Sequence, residues 1–333
     1  MSIVKKLIGQ TAVYGLSTIV GRFLNFLLVP LYTRFFSQSD YGIVTELYSY
    51  TVFLMIFLTY GMETGFFRFS QEQHYKENVY TTVMTSLFFT TSAFIALIMM
   101  FLQPVSAFMG YQGNERYILW MAIIIGIDVI TTVPFAKLRL ENKAVKFAVI
   151  KFINIGLNIG LNVLLLVVFP YCAKHNILMF IAQYFREPQV SYIFISNVIA
   201  SLVTLLMLVP DMFKSHKKFD YELLKKVLTY SWPLLISGLA GSVNEVYDRV
   251  SLRYFITVPP GHDASQYILA QVGIYGASYK LAMIISIFNQ AFRYAAEPLF
   301  FSRIHEKDSR ILYARILNYF VAFTLFLFVF IMV

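Results

Sequence analysis

The chain has 333 residues, 58% of them hydrophobic and only 14% charged, and it carries a formal net charge of +9. A soluble domain with that balance has too little polar surface to cover its exterior, so a soluble enzyme is excluded and a lipid bilayer is the expected solvent. The 33 Phe and 23 Tyr fit lipid-facing and interfacial positions.

Nine apolar runs follow one another, at about 8–33, 43–69, 79–101, 117–136, 147–170, 190–210, 230–256, 272–300 and 314–333. Each is about 20 residues or longer, enough to cross the hydrocarbon core as a helix. The first is no cleavable leader. It is too long, carries Arg22 and Asn25, and reaches the next run without a small-residue cleavage site. The loops alternate in charge. Lys5, Lys6, Arg68, Lys76, Lys137, Arg139, Lys143, Lys146, Lys151, Lys214, Lys217, Lys218, Lys225, Lys226, Arg303, Lys307, Arg310 and Arg315 fall on one side. Only Arg34, Arg116, Lys174 and Arg186 fall on the other, so the positive-inside rule predicts a cytoplasmic N-terminus. The basic excess is thus topological, with some attraction to anionic lipid heads, and no nucleic-acid partner is expected. The single Cys172 excludes an internal disulfide.

The second run echoes in the eighth. Tyr41-Gly42-Ile43-Val44-Thr45 aligns with Val272-Gly273-Ile274-Tyr275-Gly276, and Ile56-Phe57 with Ile287-Phe288 at the same offset. Gly21-Arg22 in the first run pairs with Asp248-Arg249 in the seventh if the second copy holds about four extra residues near Pro259. Runs one and seven point the same way across the bilayer, so six helices per copy is the natural unit, as in parallel-repeat transporters. The expected fold class is therefore all-α, a polytopic membrane protein of two six-helix lobes, 1–212 and 213–333. The second lobe has only three helices, which reads as a chain cut short. The loop at 211–226 divides the lobes, and Asp220-Tyr221-Glu222-Leu223-Leu224-Lys225-Lys226 within it reads as a short amphipathic segment on the membrane surface.

Charge inside the spans is costly, roughly 2.5–3.5 kcal/mol per residue at the bilayer centre, so it marks function or tight pairing. Arg22 and Arg249 occupy comparable places in the two copies, which suggests a cationic cavity between lobes that captures a phosphorylated headgroup. Pairing of Arg22 with Glu63, or of Arg249 with Glu245, is the structural alternative. Lys280 adds positive charge to such a cavity, whereas Arg293, nearer a helix end, fits snorkelling to headgroups. Asn25 lies one turn beyond Arg22. Asn154, Asn158 and Asn162 repeat every fourth residue along one helix face, after Lys151, and either line a sugar-bearing cavity or bond to neighbouring helices. Gly156 and Gly160 form a Gly-xxx-Gly pair that permits close helix contact. Glu63, Asp128 and Asp248 are coupling sites for a proton or cation, or counter-ions for the arginines. No phosphate-binding Gly-rich loop, H-E-x-x-H or Cys/His cluster is present in the sequence, so neither a cofactor nor a metal is expected.

Pro30-Leu31-Tyr32-Thr33-Arg34, Ser39-Asp40-Tyr41-Gly42-Ile43, Tyr60-Gly61-Met62-Glu63 and Phe67-Arg68-Phe69 come in an order that resembles the opening of the bacterial Wzx-type polysaccharide flippases. These belong to the multidrug/oligosaccharidyl-lipid/polysaccharide superfamily. Trp232-Pro233-Leu234, Asp248-Arg249 and Val272-Gly273-Ile274-Tyr275 resemble that family's second lobe. The resemblance implies two six-helix lobes around a central cavity and transfer of an undecaprenyl-pyrophosphate-linked oligosaccharide across the bacterial inner membrane. It also implies that Arg22 and Arg249 handle substrate. The expected partners are that lipid-linked oligosaccharide, membrane lipids and the polysaccharide polymerase machinery. The rival readings are a multidrug or cation antiporter of the same superfamily, and a membrane-bound polysaccharide polymerase or ligase. The latter would want a large catalytic loop that the sequence lacks.

Overall fold

The computed structural model describes residue 15 and residues 19–177, 183–185, 187–212, 218–302 and 309–332. Lys5, Lys6, Arg186, Lys214, Lys217, Arg303 and Lys307 lie outside the described residues, as do the side chains of Arg293 and Arg310. Every regular element among the described residues is helical, as lipid requires of segments that must satisfy their own backbone hydrogen bonds.

In chain order the helices are α1 (Leu28–Phe35, preceded by helical turns at 19–26), α2 (Gln38–Thr59), α3 (Met62–Phe69), α4 (Val79–Met100), α5 (Leu102–Met109) and α6 (Glu115–Leu140). They continue as α7 (Ala144–Val163), α8 (Phe169–Lys174), α9 (Ser191–Met212), α10 (Tyr221–Phe255), α11 (Ala264–Ser302) and α12 (Ser309–Met332). A π-helical stretch, Leu164–Val168, joins α7 to α8. Among the described residues seven helices or joined pairs are long and apolar enough to cross a membrane. The first run, of which residues 8–14 and 16–18 lie outside the described residues, is not among them, and neither is the seventh. The seventh is helical throughout as α10, but Thr229, Tyr230, Ser231, Trp232, Ser237 and Ser242 dilute its apolar character.

Sequence dictates where these helices start and break. Ser37 caps α2 with its side chain on the Asp40 N–H, while Asp40 reaches back to the Ser37 N–H, a reciprocal capping box. The second span then breaks at Tyr60 (φ 33°) and Gly61 (φ 72°). Glycine tolerates that left-handed turn, and a Cβ at Gly61 would lie 3.0 Å from the Ser231 carbonyl of α10. The Asp220–Lys226 segment is amphipathic and continuous with the span that follows, forming the first turns of α10, capped by Asp220 on the Leu223 N–H at 3.0 Å. Leu223 and Val227 are fully buried there against Phe66, Phe69, Val79 and Val83. Burying two aliphatic side chains stabilises by roughly 1.5–3 kcal/mol each, and Tyr221, Glu222, Lys225 and Lys226 stay exposed on the other face.

Two cores hold the described helices. One gathers Tyr32, Leu47, Tyr117, Ile124, Leu166 and Phe194 at the end of the bundle that carries the N-termini of α2 and α6. The other gathers Met62, Phe66, Val83, Leu87, Val129 and Leu223 toward the opposite end. The most extensive helix pairing joins α2 to α11, and it depends on glycine. A Cβ at Gly42 would run into the Leu269 carbonyl, one at Gly273 into the Gln38 carbonyl, and one at Gly276 into the Thr45 side chain. These contacts are reciprocal. The offset that carries Gly42 onto Gly273 also carries Gln38 onto Leu269 and Thr45 onto Gly276, the pattern a two-fold axis between the helices produces.

Gly156 and Gly160, by contrast, have nothing within 4 Å of an added Cβ, so the Gly-xxx-Gly pair makes no close helix contact here. The expected outcome of alanine scanning follows. Gly42→Ala and Gly273→Ala lower the melting midpoint in detergent, at a cost of about 1–3 kcal/mol for overpacking. Gly156→Ala and Gly160→Ala leave it unchanged or raise it.

Candidate functional site

Two neighbouring chambers are lined by polar and charged residues of the spans. The first, about 340 Å³, lies between α1, α2, α7 and α9 on one side and α10 and α11 on the other. Arg249 and Lys280 are the cations that line it and Glu245 the carboxylate that lines it, with Asp248 just behind Arg249. The Arg249 side chain is only 11% exposed. It lies 3.8 Å above the Tyr279 ring, donates to the Glu245 carbonyl at 2.9 Å, and has its Nε 3.7 Å from Asp248 Oδ1 without a hydrogen bond. Lys280 shows no ion pair among the described residues. Arg249, held by the Tyr279 ring and one carbonyl, and Lys280 on the same chamber wall retain most of their donors for an anionic guest.

The predicted site residues separate in an informative way. Asn25, Asn158, Arg249 and Lys280 meet in the first chamber. Asp248 sits behind Arg249 and accepts from Tyr275 Oη at 2.5 Å, the position of a counter-ion. Arg22 does not join them. It is exposed, one turn from Asn25, and does not line the chamber, so the expected convergence of two arginines is reduced to Arg249 with Lys280. Nor does Arg22 pair with Glu63, whose carboxylate is bound by Arg139.

The asparagine ladder divides three ways because α7 runs past two cavities. Asn154 lines the second chamber and donates to Thr204 Oγ1 at 2.9 Å. Asn158 faces the first chamber, and Asn162 is fully buried between its own helix and Tyr32, whose hydroxyl donates to Asn162 Oδ1 at 3.0 Å. Asn154 and Asn162 thus bond to neighbouring helices, while Asn154 and Asn158 face chambers.

The second chamber, about 400 Å³, lies wholly within the first six spans. Asp128 and Glu63 face it, opposed by Lys151 and Arg139, so its charges balance. Asp128 Oδ1 accepts from Ser201 at 2.9 Å, and Lys151, set 4.2 Å over the Phe135 ring, is the cation that acts on it. Asn197 borders both chambers and donates to Tyr48 Oη at 2.6 Å.

One further cluster escapes the sequence reading. Glu46 is fully buried and holds Arg253 at 2.6 Å, while Tyr111 donates to its other oxygen at 2.6 Å. Burial and the adjacent carboxylate push the Tyr111 hydroxyl well above the ordinary tyrosine value, which keeps it protonated as a donor. The cluster joins α2 to α10 at the end of the bundle where Gly42 meets Gly273. Glu46 looks unremarkable in sequence because it lies one turn inside a span end, where a carboxylate reaches water in most helices. Only the arrival of Arg253, distant in sequence, explains its burial.

A bundle of membrane-length helices around charged internal chambers defines a polytopic, transporter-type membrane protein. A family model described as polysaccharide biosynthesis protein matches residues 7–305. The chain belongs to that family, which is the family of the Wzx-type flippases and the one its sequence motifs resemble. No curated protein and no solved structure matches it.

Proposed function

We propose that the protein moves an undecaprenyl-pyrophosphate-linked oligosaccharide unit from the inner to the outer leaflet of a bacterial inner membrane, for surface polysaccharide assembly. The observation that carries this reading is the first chamber, where Arg249 and Lys280 face inward against a single carboxylate in a member of a polysaccharide biosynthesis family. Diphosphate is the part of such a lipid that needs cations, and guanidinium supplies them in forked geometry without deprotonating. With the N-terminus cytoplasmic, outward movement of the anion follows the membrane potential, about 2.3 kcal/mol per charge per 100 mV. The reciprocal α2–α11 crossing supports two lobes, 1–212 and 213–333, rocking about that contact. In this orientation Glu46–Arg253–Tyr111 closes the outer mouth, and transport alternates with its opening.

A cation antiporter is less well supported, since two cations and one carboxylate line the chamber and the second carboxylate, Asp248, stands behind Arg249. The test is complementation of a strain lacking the gene, read by surface polysaccharide at matched protein level. Arg249→Ala is expected to lower export at least tenfold, because a charge-assisted hydrogen bond contributes about 1.5–3 kcal/mol. Arg249→Lys should retain part of it. Unchanged polysaccharide in Arg249→Ala would overturn the reading.

A further inference from the structure

The first chamber has two unlike walls. Its charges come from α10 and α11, whereas the facing wall, from α2, α7 and α9, is neutral and polar. That neutral wall is held rigid by bonds that consume some of its hydrogen-bonding groups and leave others. Asn162 Nδ2 donates to Asn158 Oδ1 at 2.9 Å, and Asn162 is itself fixed by Tyr32. The Asn158 carbonyl is thereby occupied, while its amide N–H groups are left for the chamber. Asn197 spends one N–H on Tyr48 Oη at 2.6 Å, which leaves its carbonyl as an acceptor and the Tyr48 proton as a donor. Tyr48 cannot swing away, since its ring stacks on Phe194 at 6.1 Å and 17°. Fixed donor, acceptor and donor side by side match a neutral hydroxyl- or acetamido-bearing group, and they add nothing for a phosphate beyond what Arg249 and Lys280 already offer.

We propose that Asn158, Asn197 and Tyr48 read the sugar attached directly to the diphosphate, making the neutral wall the specificity determinant and the charged wall the generic anchor. The inference rests on the flippase reading above. A sugar seated there cannot be replaced by one lacking the matching polar group without leaving the half-buried amides of Asn158 and Asn197 unpaired, which is how a site built on hydrogen bonds discriminates.

Purified full-length protein is titrated with two short-chain probes, geranyl diphosphate and geranyl diphosphate bearing one N-acetylhexosamine. The wild-type protein is expected to bind the sugar-bearing probe at least tenfold more tightly. In Asn158→Ala and Asn197→Ala that ratio falls toward one. In Arg249→Ala both affinities drop together and the ratio persists. If alanine disturbs folding by gel filtration, Asn197→Ser and Tyr48→Phe serve the same comparison. Asn158 and Asn197 variants that weaken both probes equally, or a wild-type protein that does not distinguish the two, would overturn the proposal. Failure of the wild-type protein to bind either probe would instead count against the flippase reading itself.

Discussion

Glu46→Ala is expected to destabilise the protein by about 3–5 kcal/mol, the penalty for leaving a buried partner charge uncompensated. Arg253 is four-fifths buried beside Tyr111, and Gly110 closes on its guanidinium so tightly that a Cβ there would collide with it. Without Glu46 the guanidinium keeps its desolvation cost and loses its carboxylate. Tyr111→Phe removes only the hydrogen bond to Glu46 and should cost less, about 1.5–3 kcal/mol. Glu46→Arg combined with Arg253→Glu should recover a good part of what either reversal loses alone. Melting midpoints in detergent rank the set, and equal losses for all variants would mean the cluster is no pair.

The same variants bear on transport. Under the proposed orientation the outer mouth opens when the pair breaks, so weakening it shifts the population toward the outward-open state. Val52 lines the first chamber and reports on its access. In a protein with Cys172→Ser, a cysteine at Val52 should react slowly with a membrane-impermeant maleimide added from outside. Glu46→Gln should raise that labelling several-fold. Labelling that is already fast with Glu46 intact would place the closed mouth elsewhere.

The apolar runs were legible because lipid leaves a chain few alternatives: about 20 residues without charge in water-free surroundings become a helix. The echo between Gly42 and Gly273 was legible as sequence, yet its meaning as a shared contact needed coordinates, since glycine says only that something approaches closely. Gly156 and Gly160 show the converse, a motif spacing with open space around it. What sequence does not encode locally is which cavity a helix face meets. Asn154, Asn158 and Asn162 share a face, but α7 passes the second chamber, the first chamber and a packed seam in turn. Likewise Asp220–Lys226 has the composition of a surface segment, and only the apolar patch around Phe66 and Val79 draws Leu223 and Val227 inward.

Asp128 offers the second large effect. It shares a chamber with Lys151, Glu63 and Arg139, two acids against two bases, and Glu63 is already engaged by Arg139. Asp128 faces Lys151 in the same chamber without a direct ion pair to it, and Ser201 fixes one of its oxygens. Asp128→Ala removes the acceptor of the Ser201 hydroxyl and an anion from the chamber that holds Lys151, and should cost about 1–3 kcal/mol. Asp128→Asn keeps an acceptor for Ser201 and removes only the charge. Adding Lys151→Met to Asp128→Asn removes both charges together, so the chamber keeps its charge balance and stability should change little. If the two charges are purely structural, this double variant is stable and exports polysaccharide at the original level. If Asp128 instead exchanges a proton during the cycle, the double variant is equally stable but export falls at least tenfold and loses its dependence on the pH gradient. Stability measured in detergent and export measured in cells on the same three variants therefore assign Asp128 to one role.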